Sequence, residues 1–306
     1  VYSDSFIHIE KDDRIIEGYG FESNERMTIY QINKPSGISS SDVVIKCRNA
    51  LSKTIGEKIK CGHMGTLDPM ASGVLIVAFG NATRLFDYLL EKTKTYRAVF
   101  VFGEERDTLD AEGVVTSTST LPEYGKLAKV IPQFIGTTSQ IPPKYSAVKI
   151  NGRKAYDLAR AGKDFDIKAK EIYIKDIKVL DKTLIDNKCE RIELLVECGG
   201  GTYIRSLCRD IAYKADTLGY MASLVRTECG GYNIDEAINM QEFIDSPSQF
   251  VRPCEQLLAK IMPLVDIDGN QYKKIRNGQT VEVKLSDGLY GAKLQDKLCF
   301  ILKVQE

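Results

Sequence analysis

The feature that most constrains the fold of this 306-residue chain is an uninterrupted apolar run of six residues at 74–79 (VLIVAF). A run of that length and composition reads as one buried strand. No window approaches the roughly 18 uncharged apolar residues that a membrane-spanning helix needs. Residues 1–16 (VYSDSFIHIEKDDRII) carry acidic and basic side chains where a signal peptide has its apolar stretch. The chain is therefore expected to be soluble and cytoplasmic, with no membrane partner.

Around that run the composition is ordinary: 43% apolar and 27% charged, which sets aside disorder, collagen and coiled coil. The length suits one large domain and a small one. Lys plus Arg equal Asp plus Glu at 42 each, so the molecule as a whole has no basic field, and a nucleic-acid partner would have to use local patches. The eight cysteines contain no C-x-x-C pair, which argues against a zinc ribbon and a disulfide framework. The two histidines, His8 and His63, leave little material for a metal site or a Ser-His-Asp triad. No metal and no cofactor is expected.

Strands and helices mixed without regular βαβ alternation predict an α+β fold for the main domain. Residues 28–33 alternate as a strand, Ser39 to Asp42 offer N-caps for a helix over 43–51, and a glycine-flanked segment, Gly62-His63-Met64-Gly65-Thr66-Leu67-Asp68-Pro69, precedes the buried strand. A helix over 83–90 and a strand over 95–102 follow. Residues 103–113 are polar and turn-rich, and 124–134 read as a helix. The Asn151-Gly152 pair signals a hairpin, with a short helix at 155–161. Residues 172–180 and 191–198 read as paired strands. Gly199-Gly200-Gly201 leads into Tyr203 and Arg205, then a helix to about residue 215. Short strands at 280–283 and 298–304 suggest a small β-rich C-terminal domain.

Asp68 is the sharpest chemical candidate, because its turn lies directly before a buried strand. A nucleophilic aspartate must be ionised, and a nearby arginine secures that state. Arg205 is placed to be that arginine if the glycines let the backbone approach a ligand; Tyr203, two residues earlier, shares its face if the strand continues. Taken alone, a turn-capping Asp and a surface Arg are the commoner cases. The glycines do not form a dinucleotide fingerprint, since Gly199-x-Gly201-x-x ends in Ile204. Tyr96, in an alternating strand after Lys92 and Lys94, suits either core packing or base stacking, which is worth about 1–3 kcal/mol. Residues 142–170 hold eight basic against three acidic side chains, a net charge of +5. With Tyr145 and Tyr156 interleaved, that patch points to RNA.

In order along 28–230, seven blocks resemble the TruB-type tRNA pseudouridine-55 synthases. They are Lys34-Pro-Ser-Gly-Ile-Ser-Ser, Gly-His-x-Gly-Thr-Leu-Asp-Pro-x-Ala-Ser-Gly-Val-Leu at 62–75, Lys94-Thr-Tyr-Arg, Asp107-Thr-Leu-Asp-Ala-Glu-Gly, Pro142-Pro-Lys-Tyr-Ser-Ala-Val-Lys, Gly201-Thr-Tyr-Ile-Arg-Ser-Leu and Leu224-Val-Arg-Thr. The resemblance implies a pseudouridine-synthase catalytic domain at 27–255, a mixed β-sheet with flanking helices, preceded by an extension at 1–26 and followed by a reduced PUA-like domain at 263–306. It implies that Asp68 is the nucleophile, Arg205 its partner and Tyr96 the stacking platform. His63, Tyr203 and Leu224 are then expected to line the nucleotide pocket, and Lys34 and Arg226, at matching motif positions, are expected to be substrate-binding with them. An RNA-gripping insertion at 140–166 presents Lys149, Arg153 and Lys154 to the backbone. The implied partner is the T-arm of tRNA, the enzyme being a monomer with no obligatory protein partner. The alternatives are a guide-RNA-dependent synthase of the dyskerin type and a tRNA-binding or tRNA-folding protein with secondary or lost catalysis. A zinc base deaminase fails, for want of H-x-E and P-C-x-x-C.

Overall fold

The apolar run becomes the Ser72–Phe79 strand, buried from Gly73 onward. Side chains alternate across a strand, so Leu75, Val77 and Phe79 enter one apolar cluster while Val74, Ile76 and Ala78 enter another. Both faces are covered, which is why the run is continuous rather than alternating. The computed structural model describes residues 6–11, 14–20, 28–86, 93–250, 254–260, 262–277, 279, 281 and 285–305.

A ten-stranded mixed sheet forms the body of the molecule. Its order is Ile238–Asn239, Thr28–Lys34, Ser72–Phe79, Gly219–Cys229, Lys94–Phe102, Lys188–Cys198, Lys170–Ile185 and Gly136–Gln140, with Cys61–Met64 and Tyr232–Asn233 attached beside that path. Gly219–Cys229 runs parallel to Ser72–Phe79 and antiparallel to Lys94–Phe102. At the parallel contact a Cβ on Gly73 would lie 2.2 Å from the Arg226 carbonyl oxygen, and Gly73 has φ +106. Only glycine fits that approach.

Two helices fix the faces of the sheet. Ser40–Ile55 begins with a capping box between Ser39 and Asp42 and ends at Gly56 in the left-handed region, as the serine-rich start implied. It buries Val43, Val44, Cys47 and Leu51 and extends beyond the expected 43–51 at both ends. Ile204–Lys214 buries Ile204, Leu207, Cys208, Ile211 and Ala212, an i, i+3, i+4, i+7, i+8 stripe packed with Phe100, Leu194 and Val196.

The paired strands Lys170–Ile185 and Lys188–Cys198 match expectation. So does the small hairpin Lys149–Ile150 with Arg153–Lys154, whose turn residues Asn151 and Gly152 both have positive φ. Three expectations need correction or qualification. The chain after Ser72–Phe79 forms a 3-10 turn, Gly80–Leu85, where a helix over 83–90 was expected; residues 87–90 lie outside the described set. No strand continues through residues 202–205, because Tyr203 is the N-cap of the helix and Arg205 its second residue. The face that Tyr203 and Arg205 were expected to share is thus set by a helix start. The expected strand 280–283 lies largely outside the described residues.

Near the C-terminus the order of the second sheet is Phe6–Lys11, Arg14–Gly20, Lys297–Gln305, Gly288–Leu294 and Leu264–Asp266. Among the described residues, two of its five strands come from the first 26 residues, which local patterning did not indicate. Leu298 and Ile301 join Ile29, Met64 and Ile76 in one cluster, seating this sheet on the body. Among the described residues no helix is long and apolar enough to cross a membrane.

Candidate active site

Asp68 lies in a segment held in place by Ser40 and by the Lys34–Gly37 block. The Ser40 hydroxyl donates to the Leu67 carbonyl at 2.9 Å and accepts from the Leu67 N–H at 2.9 Å. The Asp68 carbonyl closes the following turn by accepting from Ala71 N–H at 3.1 Å. Beneath that turn Lys34, wholly buried, donates to the carbonyls of Pro35 at 2.9 Å, Pro69 at 3.1 Å and Ala71 at 2.6 Å. Gly37 N–H adds a bond to Pro69 O at 2.8 Å and Ser36 Oγ one to Met70 O at 2.7 Å. The Lys-Pro-Ser-Gly block thus serves as a cradle for the 68–71 turn. Burial lowers the Lys34 ammonium to about 8, with Asp68 acting in the opposite direction.

Arg205 reaches Asp68 from the start of its helix. Its Nη2 donates to Asp68 Oδ1 at 3.1 Å, and Nε stands 2.9 Å from Asp68 Oδ2 as a charge contact off the N–H axis. The guanidinium is 5% exposed while the Asp68 side chain is 33% exposed, so the carboxylate faces the cleft and the arginine backs it. A second carboxylate, buried Asp110, lies 3.3 Å from Arg205 Nη1. Two carbonyls complete the shell, with Nη1 donating to Thr108 O at 2.8 Å and Nη2 to Tyr145 O at 3.0 Å. Asp110 is held in turn by the Thr108 hydroxyl at 2.6 Å and Glu112 N–H at 3.1 Å. A cation in the first turn of a helix opposes the helix dipole, and two carboxylates offset that cost.

The cleft in front of Asp68 has a volume of about 280 Å³, and its lining includes Tyr96, Tyr203, Arg205, Leu224 and Arg226. Tyr96 is 7% exposed and stands opposite Val196 on one neighbouring strand and Arg226 on the other. Burial pushes its phenol up to about 12, with the Arg226 guanidinium pulling it the other way. Tyr203 is half-buried, its N–H donates to Gln140 Oε1 at 2.9 Å, and burial raises its hydroxyl. Arg226 is wholly buried; its Nε donates to Val74 O at 2.7 Å and its Nη2 to Gly65 O at 2.9 Å.

The structure thus gathers Asp68, Tyr96, Tyr203, Arg205, Leu224 and Arg226 at one cleft and leaves Lys34 and His63 behind it. His63 lies on the Cys61–Met64 strand opposite Val77, and its Nδ1 is buried without a hydrogen-bond partner among the described residues. Burial, then the nearby Arg226 charge, lowers its pKa. Ser146 and Ala147 line the cleft, and three residues on from Ser146 the hairpin begins that carries Lys149, Arg153 and Lys154, all exposed. Sequence reasoning missed Asp110, Thr108 and Gln140 as supports. The Asp107-Thr-Leu-Asp block was the available signal, since a buried guanidinium must have its desolvation offset by charge partners or hydrogen bonds.

Comparison with known proteins places this geometry. Residues 52–204 match the model of the TruB family pseudouridylate synthase, N-terminal domain. The tRNA pseudouridine synthase B of Rhodospirillum rubrum is 40% identical over 258 residues, spanning 82% of this chain and 80% of that protein. The protein of the same name from Caulobacter vibrioides is 38% identical over 237 residues, 77% of this chain and 73% of its own. Among solved structures, a Cbf5-Nop10-Gar1 complex contains a chain that superimposes with a TM-score of 0.65 at 24% identity, covering 90% of this chain and 77% of that one; at that identity the likeness speaks for the fold. By the family model and the length and identity of these matches, the chain belongs to the TruB family of pseudouridylate synthases.

Proposed function

We propose that this protein isomerises uridine to pseudouridine in the T-loop of tRNA, at position 55. The observation that carries the reading is the Asp68–Arg205 pair at a cleft walled by Tyr96. The cleft is small enough for one base, and a base stacked in a folded RNA must be turned out to reach it, at a cost of a few kcal/mol. Stacking on Tyr96 offsets part of that cost, at about 1–3 kcal/mol per base. With its proton held tightly by burial, the Tyr96 phenol suits stacking and hydrogen-bond donation better than service as a resident base.

Asp68 is the group placed to act at the sugar or the ring, and Arg205 holds it aimed. Tyr203 and Leu224 shape the pocket, and Arg226 and His63 support its floor. Lys149, Arg153 and Lys154 hold the RNA backbone from the hairpin that leads out of the cleft. The C-terminal sheet is read as a reduced PUA-like module.

The test is tritium release from tRNA transcript labelled at uridine C5, with wild type beside Asp68→Asn and the product position mapped. Wild type should release label at the T-loop uridine without added guide RNA or protein. Asp68→Asn should be inert yet bind tRNA within a few-fold of wild type. Release that depends on an added guide RNA would favour the dyskerin-type reading, and tight binding without release by wild type would favour a folding role.

A further inference from the structure

The segment that carries the basic hairpin is fastened to the Ile204–Lys214 helix at two points. One is the Tyr145 carbonyl, which accepts from Arg205 Nη2 at 3.0 Å, the same nitrogen that donates to Asp68 Oδ1 at 3.1 Å. An Nη2 group has two hydrogens, so the carbonyl and the carboxylate together fix the rotation of the guanidinium. The other point is the Ile141 carbonyl, which accepts from Ser206 Oγ at 2.9 Å and from Arg209 Nη2 at 3.0 Å. Ser206 is wholly buried. Arg209 is oriented by Asp210 Oδ1, which accepts from its Nε at 2.9 Å and its Nη2 at 2.7 Å. Neither Ser206 nor Arg209 lines the cleft. Two donors on one carbonyl, one of them charged, make a firm latch. Between the two points lie Pro142 and Pro143, both buried. Proline fixes its own φ and restricts the residue before it. The stretch from Ile141 to Pro143 is therefore a stiff arm, and where Ile141 is held decides where Tyr145 arrives.

The far side of the hairpin closes onto the same arm. Ala155 N–H donates to Val148 O at 2.7 Å and Tyr156 N–H to Ser146 O at 3.0 Å. These bonds continue the pairing of Lys149–Ile150 with Arg153–Lys154 down to the residue beside Tyr145. One hydrogen-bonded ladder thus joins the exposed cations Lys149, Arg153 and Lys154 to the carbonyl on Arg205. We propose that Ser206 and Arg209 are positioning residues for the reaction. By holding Ile141 they seat the arm, so that the hairpin that grips RNA and the carbonyl that aims Arg205 at Asp68 move as one unit. Hydrogen-bond networks and rigid elements carry coupling of this kind. The inference rests on the pseudouridine reading of the Asp68 cleft. A slack arm leaves the hairpin's cations in place but lets Arg205 turn, so the latch governs rate more than affinity.

A double-mutant cycle between latch and arm tests it. Single-turnover rates at saturating tRNA transcript, RNA affinity and urea midpoints are measured for wild type, Ser206→Ala, Arg209→Met and Arg209→Lys. The arm variant Pro142→Ala with Pro143→Ala is measured alone and combined with Arg209→Met. Ser206→Ala and Arg209→Met should each slow turnover about 10–100-fold, the scale of a displacement approaching 1 Å, with affinity within a few-fold of wild type. Arg209→Lys restores a cationic donor and should recover part of the rate. In the arm variant, Arg209→Met should cost less than about three-fold more, because a slack arm no longer transmits the latch. Should a buried substitution fail to fold, the partly exposed Arg209 still decides the matter through Arg209→Met and its rescue by lysine. With wild type active, penalties that multiply in the cycle, a rate unchanged by Arg209→Met, or a loss of affinity without a loss of rate overturn the latch alone. A wild type inert on the transcript overturns the pseudouridine reading and the latch with it.

Discussion

Lys34→Met separates the stability of the cradle from its use. At neutral pH the buried ammonium is an expensive donor. A shift from 10.5 to about 8 corresponds to roughly 3 kcal/mol against the charged form, at about 1.4 kcal/mol per unit. Methionine removes that cost but also removes the donor from the carbonyls of Pro35, Pro69 and Ala71. An orphaned buried acceptor costs about 1–3 kcal/mol, and Pro69 O keeps its bond from Gly37 N–H. Two orphaned carbonyls at that cost largely offset the gain, so unfolding free energy at pH 7 should change by no more than about 3 kcal/mol. Turnover should not be spared. The 68–71 turn loses the side chain beneath it, and a displacement of about 1 Å in a catalytic group costs roughly 10²-fold. The sign of the pH dependence follows from linkage. Above about 8 the folded protein releases the Lys34 proton while the unfolded chain holds it up to 10.5, so the unfolded state binds more protons and stability contributed by this site rises with pH. Urea unfolding of wild type and Lys34→Met at pH 7, 8.5 and 9.5, with tritium release at pH 7, measures both effects. The wild-type advantage should grow across the alkaline points. An advantage that is flat or shrinks with pH, or a variant with wild-type turnover, refutes the reasoning.

Three further outcomes are expected. Asp110→Asn keeps the acceptor for the Thr108 hydroxyl and Glu112 N–H but removes the second charge on Arg205; turnover should fall about 10–100-fold, as for loss of one positioned electrostatic contact, with RNA affinity retained, both read from single-turnover kinetics. Gly73→Ala places a methyl 2.2 Å from the Arg226 carbonyl oxygen and should destabilise the protein by about 3 kcal/mol or more, seen as a lower urea midpoint. Neutralising Lys149, Arg153 and Lys154 together should weaken tRNA binding and reduce the slope of log K against log salt by about 2, given about 0.7 per single-stranded phosphate contact; an unchanged slope would mean that the hairpin carries no phosphates.

Local chemistry determined a good deal of this protein. The 74–79 run made one strand buried on both faces, Ser39 with Asp42 began a helix, and Asn151-Gly152 turned a hairpin, because each of these depends on neighbours a few residues apart. The ordered blocks also marked Asp68, Tyr96 and Arg205 for one site. The tertiary structure alone decided how that site is held. Asp68 and Arg205 are 137 residues apart, and no periodicity encodes that Arg205 begins a helix rather than ends a strand, or that Asp110 is its second anchor. Lys34 looked like a pocket residue and is a buried pin, because its strand packs beneath the turn it holds. Residues 6–20 look unpatterned in sequence, yet two strands within them complete a sheet begun near the opposite end of the chain. Backbone pairing at an open sheet edge asks for extended N–H and C=O groups more than for particular side chains, so it leaves little trace in sequence and is settled only when the chain folds back on itself.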